Sequence, residues 1–323
     1  MIKIVFMGTP ELAATVLEKL VSEKYDVVLC VTQPDKPVGR KMVLTAPPAK
    51  CMAEKYGIPV YQPSTLRNGD ALSTIASYAP EMIITAAYGK ILPQEMLDLP
   101  KYGCINVHGS LLPKYRGAAP VQWAILNQDE YTGVTIMKMD AGMDTGDILT
   151  SCKVPISERV HTPELMDQLA SSGADLLIET LPGYISGEIK PVPQIEKDAT
   201  MSPPIVKEQG EISWNRPAKA ICAQIRALSQ WPGASTFWKG GKLKIYDACV
   251  DPSGAELLSR YKSENGDPAP GTVVAAKKGT LAVMCQDLPL YLLEVQPASG
   301  KRMKAIDCAH NFEVGRCMEE KPQ

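Results

Sequence analysis

The chain has 323 residues, 45% of them hydrophobic and 22% charged, with a formal net charge of −2. That balance excludes a disordered chain, the length predicts two domains with separate cores, and no apolar run approaches the roughly 20 residues a bilayer span needs. Nine cysteines, odd in number and without a C-x-x-C spacing, indicate neither a disulfide framework nor a zinc site, so neutral thiols in a reducing, cytoplasmic compartment are expected.

Ile2–Met7 is an apolar run of strand length, too short in its apolar part for a signal peptide. Gly8-Thr9-Pro10 then turns the chain, and Pro10–Leu20 carries apolar residues at helical spacing. Asp26–Thr32 predicts a second strand. It ends in a Pro/Gly-rich loop over 33–48, a length that usually marks function. Helical patterns at Lys50–Tyr56, Leu66–Tyr78 and Pro93–Leu97 alternate with strand candidates at Pro80–Ala86 and Gly103–His108. Such alternation predicts an α/β domain with a mostly parallel sheet covered on both faces. Thr132–Met139 and Asp147–Ile156 add two strands around Asp140–Gly146, and Pro163–Ser186 predicts the longest helix, which closes a first domain over 1–187.

Residues 188–205 contain Pro191, Pro193, Pro203 and Pro204 and little periodicity, which predicts a linker. Beyond it one helix (Ala218–Ser229) precedes short strand runs at Ala234–Trp238, Lys242–Val250, Gly271–Ala276, Leu281–Cys285 and Leu288–Val295. Short strands at regular spacing predict a small β-barrel domain over 206–323. Residues 1–205 hold 18 Lys+Arg against 23 Asp+Glu (−5), and residues 206–323 hold 16 against 13 (+3). The second domain is the basic one.

In parallel α/β sheets ligands bind beyond the carboxyl ends of the strands, where Tyr88-Gly89, Asn106 and His108 all fall. The first βα turn lacks G-x-G-x-x-G, and G-x-x-x-x-G-K-[ST] is absent from the chain, which argues against dinucleotide and nucleoside-triphosphate binding. Asn106 and His108, two residues apart on an extended chain, project to one side, so an amide N–H and an imidazole N–H can converge on one oxygen. That pairing suits a carbonyl becoming tetrahedral. A carboxylate from Asp144 can fix the imidazole tautomer or relay a proton through water. Taken alone, a histidine at a strand end is more often a hydrogen-bonded structural residue than a catalyst, Asp144 also reads as a turn cap, and Ser110 lacks the G-x-S-x-G elbow of a nucleophile.

The run Asn106-Val107-His108-Gly109-Ser110-Leu111-Leu112-Pro113 through Pro120, with Gly142-Met143-Asp144-Thr145-Gly146-Asp147 downstream, resembles the 10-formyltetrahydrofolate-dependent formyltransferases. Met7-Gly8-Thr9-Pro10, Thr32-Gln33-Pro34-Asp35, Ala87-Tyr88-Gly89, Trp231-Pro232-Gly233-Ala234 and Leu293–Pro297 extend the likeness to the methionyl-tRNA formyltransferase family, nearly end to end. This resemblance implies a Rossmann-like formyltransferase domain followed by an OB-like barrel. It implies formyl transfer from 10-formyltetrahydrofolate to the α-amine of initiator methionyl-tRNA for translation initiation, by a cytoplasmic monomer that needs no metal and no membrane. Asn106, His108 and Asp144 fall on the family's catalytic positions. Ser110, Leu111, Leu112 and Pro113, with backbone near Ile91 and Leu92 and the Asp140–Asp144 loop, fall on the folate site. The 33–48 loop, with Lys36, Arg40 and Lys41, falls on the tRNA-contacting segment.

On the barrel, Lys239, Lys242, Lys244, Lys277, Lys278, Lys301, Arg302 and Lys304 are expected to track tRNA phosphates. The chain departs from the family in the few cations of the 33–48 loop and in Asp307–Phe312, which replaces a more apolar helix pattern. Competing readings are a formyltransferase acting on an amino sugar nucleotide, a hydrolase releasing formate from the same cofactor, and a non-catalytic tRNA-binding module.

Overall fold

The computed structural model describes residues 2–39, 42–67, 69–277 and 279–318. The chain forms two compact units, one of Met1–Pro120, Tyr131–Pro155 and Leu165–Pro203, the other of Val121–Glu130, Ile156–Glu164 and Pro204–Gln323. Among the described residues no helix is long and apolar enough to cross a membrane.

In chain order the first 203 residues form β1 (Lys3–Gly8), α1 (Glu11–Ser22), β2 (Asp26–Val31), β3 (Lys36–Val38), β4 (Val43–Thr45), α2 (Pro48–Lys55), β5 (Val60–Tyr61), α3 (Gly69–Ser77), β6 (Met82–Ala86), α4 (Gln94–Leu97), β7 (Cys104–His108), β8 (Arg116–Gly117), α5 (Pro120–Leu126), β9 (Tyr131–Lys138), β10 (Ile148–Pro155), α6 (Thr162–Ser186) and β11 (Met201–Ser202). The main sheet of the first unit has the order β10-β9-β7-β6-β1-β2-β5. β1, β2, β5, β6 and β7 pair in parallel, whereas β9 runs antiparallel to β7 and β10 antiparallel to β9. The parallel core explains why β6 is buried at every residue and reads as one apolar run.

The strand order reverses around β1, which has β2 on one side and β6 on the other, and this opens a crevice at their carboxyl ends. Gly8 closes β1 there. A Cβ at Gly8 would lie 2.5 Å from Ala13 Cβ and 2.8 Å from the Ala86 carbonyl oxygen, so α1 can start against β6 only over a glycine.

Two expectations change in this unit. The 33–48 loop contains a hairpin: β3 and β4 pair antiparallel, with Lys50 Nζ 2.9 Å from Asp35 and Gln62 Nε2 donating to the Gln33 carbonyl (2.8 Å) at its base. Its strands are three residues each and fully exposed, too short for an alternating pattern to appear in the sequence. Residues 188–203, in turn, do not run free. β11 pairs in parallel with β8, and Val192 bridges Ile148, so a segment without periodicity of its own takes its order from neighbouring chain.

The second unit adds α7 (Ala218–Ala227), β12 (Ala234–Trp238), β13 (Gly241–Cys249), α8 (Gly254–Asn265), β14 (Val273–Ala275), β15 (Ala282–Met284), β16 (Pro289–Gln296), β17 (Met303–Lys304) and α9 (Ala305–Cys308). Its antiparallel sheet has the order β12-β13-β16-β15-β14, with β17 on β16 and no β12–β14 ladder among the described residues. Ile221, Ile225, Leu243, Ile245, Val283, Leu292 and Val295 fill the core beneath α7. Cys308 and Phe312 belong to the same core, which places the divergent 307–312 segment inside the unit. α8 was not expected from the sequence: of its twelve residues only Gly254 and Tyr261 are buried, too thin an apolar face to register as a helical period.

Candidate active site

β7 carries Asn106 and His108 on one face, because alternate residues of a strand point the same way. On the other face a Cβ at Gly173 of α6 would lie 2.9 Å from Val107 Cγ1, so the helix packs directly against that side. The Asn106 Oδ1 accepts a hydrogen bond from Thr85 Oγ1 (2.8 Å), which comes from the adjacent strand β6. With its carbonyl oxygen engaged there, the Asn106 amide turns its NH2 away from Thr85.

His108 is buried, and both ring nitrogens have neighbours. Nε2 lies 3.0 Å from the Tyr115 carbonyl oxygen, an acceptor that requires the proton to be on Nε2. Nδ1 lies 3.7 Å from Asp144 Oδ2. That gap is longer than a hydrogen bond, so Nδ1 faces the carboxylate without being bonded to it. With a proton on Nε2, Nδ1 is an acceptor in the neutral ring and a donor in the doubly protonated one, so the expected N–H beside Asn106 calls for both nitrogens to be protonated.

Asp144 is held from several sides. Its Oδ2 accepts from the Gly117 backbone N–H (2.8 Å), and its own backbone sits in the left-handed region at φ 54°. Asp140 Oδ1 ties the same loop by accepting from Thr145 Oγ1 (2.6 Å) and the Gly142 N–H (3.0 Å). At the end of the loop a Cβ on Gly146 would collide with the Lys138 carbonyl oxygen. The Gly142 and Gly146 of the motif are therefore steric requirements of a tight loop.

The segment after His108 is rigid. Ser110 is fully buried and its Oγ donates to the Lys114 carbonyl (2.6 Å), while Thr135 Oγ1 donates to the Ser110 carbonyl (2.7 Å) and accepts from the Leu112 N–H (3.0 Å). The Ser110 hydroxyl closes a turn, with its proton engaged by the Lys114 carbonyl. Leu112 is buried, and Leu111 packs where a Cβ on Gly133 would lie 2.5 Å from Leu111 Cδ2. Past β6, Lys90 Nζ donates to the Pro63 and Ser64 carbonyls (both 2.8 Å), leaving Ile91 66% exposed and Leu92 in the core at 3%. Burial, with the charge of Lys36 adding to it, holds the Lys90 ammonium below its ordinary range. Lys36 is exposed on β3, whereas Arg40 and Lys41 lie outside the described residues.

An open cleft of about 600 Å3 runs past the loop that carries Asp144, lined by Leu97, Pro100, Lys101, Lys138, Met139 and Asp140 among others. It shares Asp140–Gly142 with that loop, but none of Asn106, His108, Asp144, Ile91 or Leu92 lines it. Among the described residues no group of three His, Cys, Asp or Glu is placed to hold a metal ion. Burial pushes the Cys104 thiol at the foot of β7 up to about 12, so it stays a protonated apolar filler.

Residues 2–181 match the formyl transferase family and residues 204–313 match the formyl transferase C-terminal domain. The methionyl-tRNA formyltransferase of Halalkalibacterium halodurans is 46% identical over 306 residues, covering 94% of this chain and 93% of that one. The chain belongs to the methionyl-tRNA formyltransferase family. The Bacillus subtilis member is 44% identical over 317 residues, covering 97% and 96%. Among solved structures, the N-formyltransferase from Helicobacter canadensis in complex with folinic acid and dTDP-3-aminofucose aligns over 90% of this chain and 99% of its own with a TM-score of 0.66 at 18% identity. At that identity the likeness speaks for the fold alone.

Sequence reasoning missed residues that hold this candidate site together. Thr85, Tyr115 and Gly117 act through a hydroxyl, a carbonyl and an N–H; the last two are backbone groups that leave no trace in residue type. Gln194 reaches the Asp144 loop from 50 residues away, in the segment read as a linker. No spacing rule connects the two.

Proposed function

We propose that the chain transfers the formyl group of 10-formyltetrahydrofolate to the α-amine of initiator methionyl-tRNA for translation initiation, with Asn106, His108 and Asp144 as the catalytic residues. The reading is supported by Asn106 and His108 on one face of β7 and Asp144 Oδ2 3.7 Å from His108 Nδ1, in a chain similar to methionyl-tRNA formyltransferases over more than nine-tenths of its length. We assign 1–187 to the catalytic domain, 188–205 to the connection, and 206–323 to an OB-like, tRNA-contacting domain of a cytoplasmic, monomeric enzyme.

The residues present fit such a donor: apolar Ile91 and Met143 are exposed on the loops after β6 and β9, and hydrogen-bond donors stand at the end of β7. Ile91, Leu92 and the locked Ser110-Leu111-Leu112-Pro113 segment would hold the donor, and when bound it supplies a carbonyl attached to a nitrogen that can leave. The Asn106 NH2, held by Thr85, and, with the ring protonated on both nitrogens, His108 Nδ1 then donate to the carbonyl oxygen as charge grows on it; removing one such donor costs about 10²–10³ in rate. Asp144, beside Nδ1, handles the proton that the attacking amine gives up and the leaving nitrogen takes. Lys36, Arg40 and Lys41 of the 33–48 segment hold the tRNA.

The test offers purified protein a labelled formyl-folate together with either charged initiator tRNA or an amino sugar nucleotide. Label is expected on the methionyl-tRNA alone. Label on the sugar nucleotide would overturn the acceptor, and release of free formate with neither acceptor labelled would favour a hydrolase.

A further inference from the structure

The 188–203 segment of the first unit contributes to the site. Gln194 directs both hydrogens of its carboxamide at the Asp144 loop: Nε2 donates to the Asp144 carbonyl (2.8 Å) and to the Gly146 carbonyl (2.7 Å). Its Oε1 accepts from Arg116 Nε (3.1 Å), so three of the four hydrogen-bonding capacities of the amide are used. Arg116 is itself only 4% exposed and makes a forked pair with Glu196, Nη1 to Oε1 at 3.0 Å and Nη2 to Oε2 at 2.9 Å. The hydrogen bonds from Arg116 hold the Glu196 carboxyl below the usual carboxylate range. The residue after Arg116 is Gly117, whose N–H binds the Asp144 carboxylate. One buried guanidinium thus fixes both the strap and the turn that meets the carboxylate.

The contacts divide the work in a particular way. A left-handed backbone at a non-glycine residue is strained and persists only where neighbours fix it. Asp144 adopts that conformation in a loop whose carbonyls at 144 and 146 are both bound by Gln194. The Gly117 N–H holds the carboxylate end and Gln194 holds the backbone end. Between them the carboxylate has one direction in which to point, toward Nδ1 of His108.

We propose that Gln194 is a positioning residue for catalysis: its carboxamide clamps the backbone on both sides of Asp144 and so sets the carboxylate against His108. This rests on the reading of Asp144 as the carboxylate that handles the proton. Two substitutions separate the clamp from mere anchoring of the strap. Gln194→Met removes every hydrogen bond at nearly constant length. Gln194→Glu keeps an acceptor for Arg116 but sets a carboxylate oxygen against the two carbonyls.

Both variants are measured alone and in an Asp144→Asn background, for kcat and KM of each substrate and for hydrogen–deuterium exchange of residues 140–148 in the free protein. The expected result is a kcat lowered by about 10²-fold in both variants, the scale of a misplacement of about 1 Å, with each KM within about twofold. Exchange over 140–148 is expected to speed up. In the Asp144→Asn background neither substitution should slow turnover further, because a residue acting only through Asp144 has nothing left to position. Wild-type kcat for Gln194→Glu would overturn the proposal, since anchoring would then suffice. So would a loss that persists undiminished beside Asp144→Asn. Wild-type turnover of Asp144→Asn itself would instead remove the reading of Asp144 and the proposal with it. Should Gln194→Met fail to fold, Gln194→Glu, which keeps the Arg116 contact, carries the test.

Discussion

At the scale of single residues the site depends on hydrogen bonds that point other groups. Thr85 shows this most simply: it is 3% exposed, and its hydroxyl donates to Asn106 Oδ1 at 2.8 Å. An asparagine amide can rotate by half a turn, and what selects its orientation is the partner of its oxygen. Without the Thr85 hydroxyl the amide loses the contact that fixes both its rotation and its position, so its NH2 is no longer held where a developing oxyanion needs it. Thr85→Val is therefore expected to lower kcat by about tenfold with each KM within about twofold, less than the about 10²–10³ that removing an oxyanion donor outright costs. Thr85→Ser should restore turnover to within about twofold. Equal losses in both variants would mean that packing of the methyl group, rather than the hydroxyl, is what the site needs.

At the scale of elements, much of the fold was legible because buried parallel strands write themselves as apolar runs. β1, β2, β6 and β7 stand within two residues of the runs expected, and α6 lies within one residue of its pattern. Legibility failed where order comes from other segments: the β3–β4 hairpin, α8 with its two buried residues, and the 188–203 strap. The segment 156–164 is a further case, fixed within the second unit by side chains that no periodicity announces. Arg159 Nη2 lies 2.8 Å from Asp247 Oδ2, Arg159 Nη1 donates to the Ala248 carbonyl (3.0 Å), and His161 Nε2 lies 3.5 Å from Asp247 Oδ1.

Burial pushes the Asp247 carboxyl up, but the hydrogen bond from His161 and the charge of Arg159 outweigh it and leave the group below its ordinary 3.8. A carboxylate with a lowered folded value stabilises the fold fully above its unfolded value, and that contribution is lost as pH falls through the folded one. The melting temperature of the wild type is thus expected to exceed that of Asp247→Asn near neutrality and to converge on it below about pH 3.8. Parallel curves from pH 7 down to strong acid would show that Asp247 is not the group that titrates.

At the scale of the whole molecule the charge is divided, −5 over residues 1–205 and +3 over 206–323, and part of the positive charge is already engaged. Lys239 is paired with Glu313 and Arg302 with Glu294, whereas Lys242, Lys244, Lys277, Lys301 and Lys304 remain exposed on the second unit. Lys36 adds an exposed cation on the hairpin of the first unit, beside the exposed apolar side chains of Val38, Val43 and Leu44. If tRNA is the acceptor, its phosphates must release counterions to these lysines, and the cost appears as a salt dependence that a small folate does not share. With as few as about three phosphate contacts the slope of log affinity against log salt is about −2.7, or roughly a 40-fold loss between about 50 and 200 mM. KM for methionyl-tRNA is accordingly expected to rise by about tenfold or more over that range while KM for the folate changes by about twofold or less. Equal shifts in the two constants would mean that salt acts on the active site or on folding, and that the exposed lysines do not bind the acceptor.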